Sequence, residues 1–139
     1  MHLQRKLFEL CINGNKIDRV TNKTFSGLGK LQSLNMKENL IEVFLNHAFK
    51  SMKSLKELNI MSSRMKRLKK HALSGLNDLF ILNLSDNLME EVPKESLKHL
   101  SNLIKILQEN PLTQIIKLTN LDLSVNRINT VEEKKASKK

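Results

Sequence analysis

The sequence predicts an α/β solenoid: a stack of similar coils with a parallel sheet along one side and irregular or short helical segments along the other. Three observations predict it. A 24-residue pattern recurs four times without a gap. Within each copy, apolar residues alternate with polar ones for a few positions, the period of a short strand. An asparagine follows three of these four strands at the ninth position of the copy. A fixed period of this size means that each unit buries its apolar face only against its neighbours.

The first copy is Leu7, Leu10, Ile12, Asn15, Ile17, Val20, Phe25 and Leu28, after a lead-in of residues 1–6. Leu31, Leu34, Met36, Asn39, Ile41, Phe44, Phe49 and Met52 repeat its offsets. Leu55, Leu58, Ile60, Ser63, Met65, Leu68, Leu73 and Leu76 form the third copy. The fourth is Leu79, Leu82, Leu84, Asn87, Met89, Val92, Leu97 and Leu100. After each asparagine the apolar spacing widens to three residues, which suits a short 3₁₀ or helical turn on the outer side.

The pattern then slips. Leu103, Ile106 or Leu107, Asn110, Leu112 and Ile115 make a degenerate fifth copy near residues 103–117, about 15 residues long and without its outer half. Leu97, Leu100, Ile104 and Leu107 also share one face of a helix that Pro111 would end. The Asn110-Pro111-Leu112 turn favours the degenerate copy. A clean sixth copy follows in Leu118, Leu121, Leu123, Asn126, Ile128 and Val131. The repeats thus occupy residues 7–131, and residues 132–139 form a charged tail expected to be disordered.

The asparagines at Asn15, Asn39, Asn87 and Asn126 form a column. Each amide can donate to and accept from the backbone of adjacent coils, satisfying polar groups that would otherwise be buried bare. Ser63 interrupts the column, so the third coil is expected to be locally weaker.

These residues resemble the leucine-rich repeat family, in the "typical" 24-residue subclass found in extracellular recognition proteins such as Toll-like receptors. The resemblance implies a right-handed solenoid with its parallel sheet on the concave side and irregular or short helical segments on the convex side. It implies non-enzymatic recognition in an extracellular, receptor-type setting. Two features depart from the pattern: the short fifth copy, and a single cysteine where extracellular members carry cysteine-rich caps. Both fit a third reading, a nonfunctional fragment or decayed copy of a longer protein. The opening residues also carry no signal-peptide pattern, which makes the cytoplasm the alternative location.

Composition narrows the function. At 139 residues the chain is one domain or part of one, and 40% apolar content is enough for a core. The core is aliphatic, with five Phe and no Tyr or Trp. No apolar run is long enough for a transmembrane segment. Cys11 stands alone, excludes an intrachain disulfide, and is expected to be a small, partly buried residue. His2, His47, His71 and His99 lack metal-ligand spacing, although His47 and His71 share a repeat position and are expected to stack on the outer side. No phosphate loop or catalytic constellation is visible, so no enzyme activity, metal, cofactor or small-molecule substrate is expected.

A recognition surface is better defined. Residues beside the core leucines point to the opposite face of the sheet. The fifth position of the clean copies holds Cys11, Asn35, Asn59, Asn83 and Asp122, a row across the strands. Lys37, Glu57, Phe80 and Ile81 lie around it. We expect a protein partner to bind here, with Phe80 and Ile81 as an apolar anchor. At the second, third, fifth, seventh and eighth positions, two lysines face five carboxylates, Glu9, Glu38, Glu57, Asp86 and Asp122. The chain's net charge of +10 therefore lies on the flanks and outer side. Its densest run holds Arg64, Lys66, Arg67, Lys69 and Lys70, an alternative site for a polyanion such as sulfated glycan or nucleic acid. Sequons at Asn22 and Asn83 mark candidate glycosylation sites, the first on an outer loop and the second in the concave row.

Overall fold

The computed structural model describes residues 7–91, 93–98, 100, 121, 122 and 126. The leucine alternation forms strands β1 (Glu9–Cys11), β3 (Ser33–Asn35), β5 (Glu57–Asn59), β6 (Ile81–Asn83) and β7 (Leu121–Asp122). They make one parallel sheet in the order β1-β3-β5-β6-β7. A second, two-stranded parallel sheet pairs β2 (Arg19–Val20) with β4 (Val43–Phe44). The register is the repeat itself: Leu10 pairs with Leu34, Leu34 with Leu58, and Leu58 with Leu82. The fold is a leucine-rich solenoid.

Each repeat position becomes a column in the core. Leu34, Leu58 and Leu82 line up beneath the sheet, with Met36, Ile60 and Leu84 beside them, all buried. Burying one such side chain stabilises by about 1.5–3 kcal/mol. Phe25 stacks on Phe49 with ring centroids 5.8 Å apart, and Phe44 meets Phe49 edge-on at 4.8 Å. The first coil is thinner. Leu10, Ile12 and Ile17 are only partly buried, and Leu7 and Phe8 are exposed, because among the described residues only the second coil covers them.

The outer side returns through tight turns in the second and third coils. Ala48 donates to Leu45, Met52 to Phe49, Ala72 to Lys69 and Leu76 to Leu73, all three residues back. Among the described residues, only the fourth coil closes an α-helical turn, α1 (Lys94–Leu97). Pro93 precedes it, where its missing N–H costs nothing, and its carbonyl accepts the N–H of Leu97 at 3.0 Å.

Beside β6 the sheet continues directly with β7, in the register Leu82 to Leu121 and Asn83 to Asp122. The fifth copy expected near 103–117, the lead-in 1–6 and the tail 132–139 lie outside the described residues. Asn126 takes the next place in the asparagine column, donating to the Leu84 carbonyl at 2.8 Å and accepting the N–H of Met89 at 3.0 Å.

Candidate recognition surface

The asparagine column fixes the turn after each strand, and so fixes how the concave residues are aimed. Asn39 is 3% exposed; it accepts the Ile17 N–H and donates to the carbonyls of Ile12 and Met36 at 3.0 and 2.8 Å. Asn87 repeats this with Met65, Ile60 and Leu84. Asn15 departs from the expected column. It is exposed and donates only to Ile12 and Asn13 of its own coil, because no coil among the described residues precedes it. Ser63 Oγ is buried without a hydrogen-bond partner, as its short hydroxyl leaves it out of reach of the neighbouring carbonyls.

The parallel register sets Asn35 beside Asn59 and Asn59 beside Asn83, with Cys11 at one end and Asp122 at the other. Each amide is half spent. The Oδ1 atoms of Asn35, Asn59 and Asn83 accept the N–H two residues on, from Lys37, Met61 and Ser85 at 3.3, 3.0 and 2.9 Å. The Nδ2 groups remain as donors, spaced by the strand separation of about 4.8 Å. Cys11 is exposed rather than partly buried; among the described residues its strand has a neighbour, β3, on one side alone.

Around the row, Phe80 is 41% exposed and Ile81 is half-buried. Glu57 is exposed, and Lys37 lies 4.0 Å from Glu38 in a surface pair. Ser85 is buried, its hydroxyl donating to Asn83 Oδ1 at 2.6 Å. A shallow cleft opens on this face, lined by Glu9 and Glu57 together with Phe8, Gln32, Ser33 and Lys56.

The eighth position carries a feature that the repeat pattern only hinted at. Gly14, Glu38, Ser62 and Asp86 all hold left-handed backbone, with φ of 65°, 58°, 55° and 51°. Gly14 was the one signal in the sequence, since glycine adopts this conformation without cost. In Asp86 the strain is offset by the Ser62 hydroxyl, which donates to its carboxylate at 2.7 Å.

On the flank, Met65 and Leu68 are buried and Arg64, Lys66, Arg67, Lys69 and Lys70 fan out exposed. None of the five pairs with a carboxylate among the described residues. Glu42 and Glu90 hold the Lys66 position in the coils on either side, so the cations concentrate at Lys69 and Lys70. The Ser96 hydroxyl, unforeseen from the sequence, anchors this segment from below by donating to the carbonyls of Leu68 and Lys69 at 3.0 and 2.7 Å. His47 and His71 stack at 5.5 Å, and the His47 N–H donates to the His71 carbonyl at 2.9 Å. Asn22 is exposed on its outer turn, whereas Asn83 is half-buried in the sheet.

Among the described residues no helix is long and apolar enough to cross a membrane. No curated protein matches the chain. One solved structure similar to it is a crystal structure of a TLR13-ssRNA13 complex, with a TM-score of 0.64 and 29% identity over 68% of this chain. The chain spans 13% of that one. The family model described as leucine rich repeat matches residues 5–65 and 53–112. With its strands, asparagine column and register matching that pattern, this chain belongs to the leucine-rich repeat family.

Proposed function

We propose that the chain is a recognition module that binds a protein partner through the concave sheet face, in a receptor-type protein of the extracellular space or cell surface. The observation that carries this reading is the row of Asn35, Asn59 and Asn83, whose acceptors are internally satisfied and whose donors face outward. Such donors are held rigid before any partner arrives, so little ordering cost falls on association. Phe80 and Ile81 supply apolar area beside Asn83, and Lys37 and Glu57 supply charge. Among proteins retained by the immobilised wild type, at least one should be lost by a folded Asn59→Ala/Phe80→Ala variant. Identical retained sets would contradict the reading.

A second reading rests on the five exposed cations of the flank and on the single-stranded RNA in the similar structure's complex. Here Arg64, Lys66, Arg67, Lys69 and Lys70 hold an anionic glycan or nucleic acid. Binding would then weaken steeply with salt and fall in the Arg64→Ala/Lys66→Ala/Arg67→Ala variant. A salt-independent affinity, or one unchanged in that variant, would remove this reading.

A further inference from the structure

We propose that the part of the concave face around the Glu9–Glu57 cleft takes a cationic, proline-rich extended segment of the partner protein; this rests on the concave-face reading above. The first support is charge. On a chain of net +10, this face carries an excess of carboxylates, so the complementary ligand is basic. The second is spacing. Glu9 and Glu57 occupy one register position two strands apart, since both align with Ser33 of β3. Two strand separations come to about 9.6 Å. A polyproline II segment rises about 3.1 Å per residue with three residues per turn, so cations three residues apart recur on one side at about 9.3 Å. Cations two residues apart in a β-strand recur at about 6.6 Å and miss the pair.

The third support is the cleft itself. Both carboxylate residues line it, and so does Phe8, which is 46% exposed. Proline-rich segments dock in grooves with an aromatic wall because they lose little entropy on binding. Lys56 also bounds the cleft and disfavours a cation placed beside it, which restricts the positions a basic residue takes. The outward Nδ2 donors of Asn35 and Asn59 stand ready for the segment's carbonyls, which polyproline II leaves free of internal hydrogen bonds.

The test uses fluorescently labelled nine-residue peptides and anisotropy at low and physiological salt. One peptide is (Lys-Pro-Pro)₃, the second has the same composition with lysines at alternate positions, and the third is (Glu-Pro-Pro)₃. The expected result is binding of the first peptide in preference to both others, weakened by salt. Glu57→Gln and Glu9→Gln each lower its affinity by about two- to fivefold, in proteins with unchanged thermal unfolding. Equal binding of the two lysine isomers, or binding unaffected by Glu9→Gln/Glu57→Gln, overturns the inference. Preferential binding of the glutamate peptide, lost in Asn59→Ala/Phe80→Ala, overturns the basic partner while leaving the concave site standing. Failure of all three peptides to bind overturns the inference as well, and the concave reading is then judged on its own retained partner.

Discussion

Asn87 accepts the backbone N–H of Met65 at 3.0 Å across a coil boundary, and Ser63, at the same position one coil earlier, makes no such bond. The coil that Ser63 closes is therefore held by fewer polar contacts than its neighbours. Replacing Ser63 with Asn places an amide within reach of the Met36 and Ile60 carbonyls, as Asn39 reaches those of Ile12 and Met36. We expect Ser63→Asn to raise unfolding free energy by about 1–2 kcal/mol in denaturant titration. A loss of stability would show that the third coil has closed around the serine.

The reverse change follows the same logic. Asn39→Ala leaves the Met36 carbonyl and the Ile17 N–H without their partner inside the stack, and the Ile12 carbonyl with Asn15 alone. Equilibrium denaturation should show a cost of about 2–3 kcal/mol. The exposed Asn15, which bonds only within its own coil, should cost well under 1 kcal/mol when changed to Ala.

Glu38 holds left-handed backbone at φ 58°, where the first coil has Gly14. Such a residue stores about 1 kcal/mol or more. Glu38→Gly is expected to stabilise the fold modestly in thermal unfolding while weakening a basic ligand by loss of the carboxylate. Lowered stability would mean that the Glu38 side chain contributes more to folding than its backbone costs.

Gly75 lies at φ 98°, and a Cβ there would stand 2.9 Å from Lys50 Cα of the preceding coil. Because the obstacle is backbone, no rotamer change relieves it. Gly75→Ala should destabilise by about 1–3 kcal/mol, measured by denaturant midpoint. A neutral result would show that the two coils separate at little cost.

The two sequons should differ. Asn22 is exposed, but Asn83 Oδ1 is occupied by the Ser85 N–H and hydroxyl. Intact mass of the chain secreted from animal cells, before and after glycosidase, should fall by one glycan in the wild type and by none in Asn22→Gln. A glycan retained in Asn22→Gln would place one on the sheet face.

The fold was legible because one number, the 24-residue period, sets strand register, core columns and the asparagine column together. Leu34, Leu58 and Leu82 pair as the spacing requires. Legibility ended where a property depends on a neighbour rather than on the pattern. Cys11 and Asn15 have the same repeat positions as Asn35 and Asn39, yet both are exposed in the first described coil. The direct pairing of β6 with β7 was hidden by the irregular spacing after Leu100. Within the candidate site, the residues forming the amide row could be read off, but the self-capping of each Oδ1 depends on backbone turns that the apolar spacing does not encode.

The most direct measurement is the affinity of a retained partner protein for wild type, for Asn59→Ala/Phe80→Ala and for Arg64→Ala/Lys66→Ala/Arg67→Ala, by calorimetry with thermal unfolding as the control. Recognition through the concave face predicts a loss of about tenfold or more in the first variant and little change in the second. Unchanged affinity in a folded Asn59→Ala/Phe80→Ala protein would contradict it.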